Sequence, residues 1–144
     1  MAAKPEYILS KAVHSWVTGM RRAGVPILHW HMKNEGKRDA PQIWVEKALG
    51  IVQPGWTDSS FIISAPYKPV VVVMVELKVG KPTMQAPDSA MRQSQIDFRD
   101  DVCKPMAIPH YCVAAKTWPQ LLPMLVRILT YHMEKAGYDT RDVY

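Results

Sequence analysis

The sequence is poor in cysteine and has no long apolar run, and each shortage excludes a class of protein. Its 144 residues include two cysteines, Cys103 and Cys112, too few for a disulfide framework, so we expect free thiols in a reducing cytosol. The most apolar stretch, residues 70–75, ends at Glu76, well short of the roughly 18 residues that cross a bilayer. The first ten residues hold no apolar leader. We therefore expect a cytoplasmic protein without a membrane partner.

Glycine is also scarce, and the 7 glycines form no phosphate-cradling loop, so the use of ATP is not predicted. What the chain does have is basic charge, with a net charge of +5. Residues 1–50 contribute most of it, with 8 Lys and Arg against 4 Asp and Glu. The cations concerned are Arg21, Arg22, Lys33, Lys37 and Arg38. They are either a solvated face or, because phosphate backbones attract clustered cations, a nucleic-acid-binding surface.

Hydrophobic periodicity predicts a single mixed domain. Helical spacing predicts helices over residues 6–23, 41–49, 88–103 and 117–136, and β-branched or alternating stretches predict strands over 27–32, 58–64, 70–79 and 110–115. The short link between the second and third strands predicts an antiparallel hairpin. The fold class is therefore α/β, with a mixed sheet flanked by helices over residues 1–137. A polar tail, residues 138–144, is expected to fray.

Two charges interrupt the strongest predicted strand. Glu76 and Lys78 share one face because side chains alternate along a strand, and they are either an ordinary ion pair at a strand end or part of a site. Asp58 begins the preceding strand, so the hairpin brings it opposite Glu76. Two carboxylates so close repel each other unless a proton or a cation lies between them. A Mg²⁺ ion suits two carboxylates, a backbone carbonyl and waters.

Two further polar residues are candidates for this site. Gln95 lies within the apolar stripe of the predicted helix over 88–103, and a buried amide needs hydrogen-bond partners. It either bonds a backbone carbonyl at the helix edge or faces Lys78 across the sheet. Glu35, in Asn34-Glu35-Gly36, is either a third acid of the site or a solvated loop residue.

These patterns together resemble the VRR-NUC branch of the PD-(D/E)XK nuclease superfamily, above all its small stand-alone members common in bacteriophages. The resemblance covers about residues 25–130 and rests on Asn34-Glu35-Gly36-Lys37-Arg38, Gly50, Gly55-Trp56-Thr57-Asp58, Val75-Glu76-Leu77-Lys78 and Gln95-Ile96-Asp97-Phe98. It implies a restriction-endonuclease-like αβββαβ core. It also implies Mg²⁺- or Mn²⁺-dependent cleavage of DNA, with a preference for branched or flap DNA in some members, in a bacterial or phage-infected cytosol.

The resemblance assigns a role to each candidate residue. Asp58 and Glu76 would bind the metal together with the carbonyl of Leu77, and Lys78 would be the catalytic lysine. Gln95 would be the glutamine of the family's helix, and Glu35 the upstream acid. The family usually has proline where this chain has Thr57, and often has glycine in the stretch that corresponds to residues 104–109.

Two other classes of protein stay open at this point. One is a non-catalytic nucleic-acid-binding or assembly module that retains the nuclease fold. The other is a small zinc-stabilised domain built on His29 and His31, which share a strand face. A homodimer is a further expectation for a nuclease, since one small domain offers limited surface for gripping a duplex and two copies bring two sites to two strands.

Overall fold

The structure, a computed structural model, describes residues 4–31 and 57–144. Its main elements are α1 (Pro5–Arg22), β1 (Ile27–Trp30), β2 (Ser59–Ile63), β3 (Val71–Val79), α2 (Gln93–Phe98), β4 (His110–Ala115) and α3 (Trp118–Lys135). A four-stranded mixed sheet flanked by helices confirms the predicted α/β fold class. The order of elements is compatible with a restriction-endonuclease-like core. The helix predicted over residues 41–49 lies outside the described residues.

The sheet has the strand order β1-β2-β3-β4. β1 and β2 are antiparallel, as are β2 and β3, whereas β3 and β4 are parallel. The short link between β2 and β3 permits only a hairpin, and the longer connection through α2 gives the crossover that a parallel pair needs. The predicted hairpin is therefore confirmed, with both strands ending within one residue of the expected bounds.

β3 is covered on both faces, which explains why it reads as an almost unbroken apolar run. Val73, Val75 and Leu77 face a core formed with α1 and α3. On the opposite face, Met74 packs against Phe98 of α2. Glu76 and Lys78 alternate with the core residues and therefore stand on the α2 face.

α1 and α3 end where the sequence predicts. Each is followed by a glycine with a positive φ, 101° at Gly24 and 84° at Gly137. This left-handed conformation is open to glycine at little cost because it has no Cβ, and it terminates helices. In the described ranges, no helix is both long and apolar enough to cross a membrane.

The predicted helix over residues 88–103 is wrong as a single element. A short 3₁₀ turn, Asp88–Ala90, comes first, and Met91 and Arg92 are extended. α2 begins only after this break and continues into a wider π-helical turn, Arg99–Cys103. The break exists because Met91 is buried near Cys112, while the Arg92 N–H is captured by Gln95 Oε1 at 2.9 Å, which starts a new helix.

The stretch before β4 departs from the glycine that the resemblance leads one to expect. Ala107 there adopts a φ of 55°, the left-handed region that glycine enters without strain. Ala107 therefore adopts a left-handed conformation that glycine would adopt at a lower cost. A glycine at this position would adopt the same bend without a Cβ penalty.

The C-terminal tail, residues 138–144, packs against the domain rather than fraying. Tyr138 is buried, and its hydroxyl donates a 2.6 Å hydrogen bond to the Pro69 carbonyl. The indole N–H of Trp16 donates to the Tyr144 carbonyl at 2.9 Å. These long-range contacts anchor both ends of the tail, and the polar composition of the segment does not reveal them.

β1 buries its partly polar face. Ile27 and His29 point to the α1 side of the sheet, while Leu28 and Trp30 are 43% and 44% exposed. His29 is buried beside Phe61. Its burial, together with the nearby charges of His14 and His31, lowers its pKa from 6.5 to about 4. The folded chain therefore resists protonation of this ring.

This burial predicts an acid-sensitive fold. Because the unfolded state takes up the proton near pH 6.5 and the folded state only near pH 4, the contribution of His29 to stability is complete above pH 6.5 and falls as the pH drops through that window. In urea unfolding, the loss between pH 7 and about pH 4.5 should be about 2–3 kcal/mol smaller for His29→Gln than for the wild type. An identical loss in both proteins would contradict this account.

Candidate active site

Asp58 lies at the start of β2, where the hairpin register places it opposite Glu76. The last observed pair of the two strands is Ser59 with Val75, and extending this antiparallel register by one residue sets Asp58, which directly precedes β2, opposite Glu76. The Asp58 carboxylate accepts a hydrogen bond from the Leu77 backbone N–H at 3.1 Å. Because the N–H and C=O of one strand residue point to the same neighbouring strand, the Leu77 carbonyl also faces the Asp58 side.

Glu76 is a carboxylic acid buried in the sheet, with 2% of its surface exposed. Its Oε1 accepts a 2.7 Å hydrogen bond from the Gln95 side-chain amide. Its Oε2 is buried and has no hydrogen-bond partner in the part of the chain that the structure describes. Burial, and then the charge of Asp58, raise the pKa of Glu76 to about 9.

The two carboxyl groups approach closely enough to share a proton. If that proton is lost, both groups are only acceptors and repel each other, and Glu76 Oε2 then has no donor among the described residues. A buried, unpartnered oxygen is costly, and a cation at this position would satisfy it. The interior of the site is therefore poised to take up a positive charge.

Gln95 joins the acidic and basic halves of the site. Its amide N–H₂ donates to Glu76, and its carbonyl oxygen accepts from Lys78 Nζ at 3.2 Å. Gln95 is 7% exposed, whereas Lys78 is only partly buried. Of the two interpretations of Gln95 from the sequence, the structure supports the one in which it faces Lys78 across the sheet. The amide fixes the lysine ammonium beside the carboxylate pair.

These residues suit a hard divalent cation. Two carboxylates and a backbone carbonyl are oxygen donors, which Mg²⁺ and Mn²⁺ prefer. No group of three or more His, Cys, Asp or Glu side chains able to hold a metal occurs within residues 4–31 and 57–144. Waters and the Leu77 carbonyl would thus have to complete the coordination, which is usual for Mg²⁺.

Of the other predicted site residues, the structure describes only Arg21 and Arg22. Glu35, Lys33, Lys37 and Arg38 lie outside the described residues. Arg21 and Arg22 are exposed in the last turn of α1, which leads into the start of β1.

The position of α1 separates those arginines from the site. Ile27, which begins β1, pairs with Ile63 at the end of β2. Asp58 precedes the start of β2, so the carboxylates and the last turn of α1 lie at opposite ends of the sheet. A nucleic-acid role for Arg21 and Arg22 stays a prediction.

His29 has other partners than His31, the residue that the zinc alternative would combine with it. The His29 ring bonds His14 of α1 and Ser59 of β2, at 3.1 and 2.9 Å. His31 is exposed just beyond β1. The imidazole beside His29 is thus that of His14, a helix residue that the sequence analysis did not associate with β1.

Arg92 is a residue at the site that the sequence reasoning missed. It is exposed, its backbone N–H is bonded to Gln95 Oε1, and its charge acts to lower the pKa of Glu76. The signal available in the sequence was its position three residues before Gln95 at the start of a helix. The chain therefore adds a second cation to the neighbourhood of the carboxylates.

Comparisons with known proteins find one weak structural similarity and no related family. No protein-family model matches the chain, and no curated protein matches it. One solved structure to which the chain is similar is the MspJI restriction endonuclease in complex with a 27-mer oligonucleotide. The TM-score is 0.32 at 16% sequence identity, covering 91% of this chain and 29% of that chain. A likeness this weak does not decide function, which has to be argued from the site itself.

The buried carboxylate pair predicts that Glu76 destabilises the metal-free protein. Glu76→Gln keeps the acceptor for Gln95 and removes a buried carboxyl group that must take up a proton when the chain folds at neutral pH, so in EDTA at pH 7 it should raise the free energy of unfolding by about 1–2 kcal/mol. That corresponds to a rise in melting temperature of about 3–8 °C. Millimolar Mg²⁺ should raise the melting temperature of the wild type, because the ligand binds the folded state, and should do so far less for the variant.

Glu134→Gln is the matched control, because Glu134 is exposed and its bond to Thr140 survives the change. It should respond to Mg²⁺ like the wild type. A Glu76→Gln protein that is less stable than the wild type in EDTA, or that gains as much from Mg²⁺, would show that the two carboxylates hold no cation.

Proposed function

We propose that this chain is a metal-dependent nuclease of the VRR-NUC type that hydrolyses DNA phosphodiester bonds. The observation that carries the proposal is the interaction of Asp58 with Glu76, one of whose oxygens is buried and has no partner among the described residues, with Lys78 held alongside by Gln95. The basic net charge of +5 favours a polyanionic substrate.

Asp58, Glu76 and the carbonyl of Leu77 would hold Mg²⁺ or Mn²⁺, which when bound supplies Lewis-acid polarisation of a phosphate oxygen and favours ionisation of a nearby water. The Leu77 N–H orients the Asp58 carboxylate through its 3.1 Å bond. Gln95 orients Glu76 in the same way from the opposite side. Both acids are thus held in place before substrate arrives.

Lys78 supplies the positive charge of this mechanism. Its ammonium has three donors, of which one is engaged by Gln95. Another would donate to a non-bridging phosphate oxygen or to the attacking water, offsetting the negative charge that develops as the phosphorus–oxygen bond breaks. Because Gln95 fixes the ammonium, little reorganisation is needed at the moment of reaction.

The finer features are part of the same proposal. Selectivity for branched or flap DNA, a homodimeric assembly, a cytosolic location and the action of Glu35 as an upstream acid come from the resemblance to the family. A non-catalytic DNA-binding module that keeps the fold is the alternative. It would bind DNA with or without Mg²⁺ and would not cleave it.

Cleavage of labelled linear, flap and branched DNA tests the proposal. With Mg²⁺ or Mn²⁺ the wild type should cleave at least one of these substrates, and Glu76→Gln and Lys78→Met should each lower the rate by about 10²–10³-fold or more. Lys116→Met, at an exposed residue before α3, is the control and should cleave normally. Mg²⁺-independent binding without cleavage would favour the binding module, and cleavage that survives both site variants would reject this site.

Gln95 should affect turnover rather than binding. Gln95→Met has a similar length but leaves both Lys78 Nζ and Glu76 Oε1 without their bridging partner. We expect kcat to fall about 10–100-fold with KM within about threefold of the wild type, since the amide positions groups and does not grip substrate. Gln93→Met is the control on the same helix, because Gln93 is exposed and its side-chain amide donates to Asp97, away from Lys78 and Glu76 in the hydrogen-bond network. An unchanged kcat would remove Gln95 from the mechanism.

A further inference from the structure

Two imidazole rings meet on the face of the sheet opposite the carboxylates. His14 projects from α1 and His29 from β1, and their Nδ1 atoms lie 3.1 Å apart. The ring centroids are 5.3 Å apart at an angle of 54°. The proposed nuclease mechanism uses neither residue, and they are 15 positions apart in the sequence.

The far side of His29 is held as a metal-binding imidazole usually is. Its Nε2 lies 2.9 Å from the buried hydroxyl of Ser59. Metal-ligating histidines almost always donate their second ring N–H to an acceptor such as a carboxylate, a backbone carbonyl or water, which fixes the tautomer and the ring orientation. The Ser59 hydroxyl can serve as that acceptor for His29. With a proton on Nε2 donated to Ser59, the Nδ1 lone pair of His29 is directed towards His14.

The two rings differ in their access to solvent. His29 is 3% exposed and is uncharged at neutral pH because of its burial, so it keeps a lone pair for a ligand. His14 is exposed, so an ion can reach its ring from solvent. One ring therefore supplies a fixed donor and the other an accessible one.

The spacing of the nitrogens also fits one shared ion. Two imidazole nitrogens that each lie about 2.1 Å from a metal are about 3.0–3.4 Å from each other. Imidazole favours Zn²⁺, Ni²⁺ and Cu²⁺ over Mg²⁺. This donor set therefore selects a different class of metal from the carboxylate cluster.

From these contacts we infer that His14 and His29 form a two-histidine site for a divalent transition metal, separate from the carboxylate centre. Water completes the coordination, in keeping with the lack of any group of three ligating side chains among the described residues. Cu²⁺ binds most tightly, followed by Ni²⁺ and Zn²⁺, as expected for nitrogen donors. The partner of His29 in this site is His14, not the His31 of the zinc alternative that the sequence leaves open.

Titration of the full chain with Cu²⁺, followed by electron paramagnetic resonance and calorimetry, tests the site without any reference to DNA cleavage. The wild type should bind one Cu²⁺ with hyperfine coupling to two imidazole nitrogens. His14→Ala, a change on the exposed side of α1, should weaken binding at least tenfold and leave the circular dichroism spectrum unchanged. His29→Gln should weaken it to a similar extent.

Two controls separate this site from its neighbours. His31→Ala should bind Cu²⁺ within about twofold of the wild type, and Glu76→Gln should do the same because it changes only the carboxylate centre. Wild-type affinity in His14→Ala would overturn the inference. Weaker Cu²⁺ binding in His31→Ala, with no change in His14→Ala, would also overturn the inference, because it would place the metal at His31 instead of His14.

Discussion

The Glu76 carboxyl group is buried against Asp58, and this burial is unfavourable by itself. The rest of the site depends on how that cost is offset. An acid at 2% exposure in the middle of a sheet costs several kcal/mol unless it is neutralised or paired. Gln95 satisfies one oxygen and leaves the other without a donor among the described residues. Lys78 and Arg92 lower the cost through their charge, since both act against the raised pKa of Glu76. A cation bound between the two acids would remove most of the remaining free-energy cost of burying Glu76.

Much of this site is predictable because it depends on local rules. Alternation along β3 places Glu76 and Lys78 on one face, and the short hairpin link fixes the register that sets Asp58 opposite Glu76. Gln95 follows from its place in an apolar stripe. Each of these inferences uses only the period of a strand or helix and the length of one connection.

Other features lie beyond such rules because they depend on contacts between distant parts of the chain. The break at Met91 and Arg92 results from packing near Cys112 and from a side chain that captures a backbone N–H. The tail is anchored by Tyr138 on the Pro69 carbonyl. His14 reaches His29 only because α1 packs across β1. The hydrophobic periodicity of a single helix or strand predicts none of these long-range contacts.

A manganese soak tests the central claim most directly. Crystals of the full chain grown without metal and then exposed to Mn²⁺ should show an anomalous scattering peak between the Asp58 and Glu76 carboxylates, about 2.1–2.3 Å from an oxygen of each. The Leu77 carbonyl should be directed at the same peak. No peak at this position in millimolar Mn²⁺, with the two carboxylates turned to separate faces of the sheet, would contradict the account.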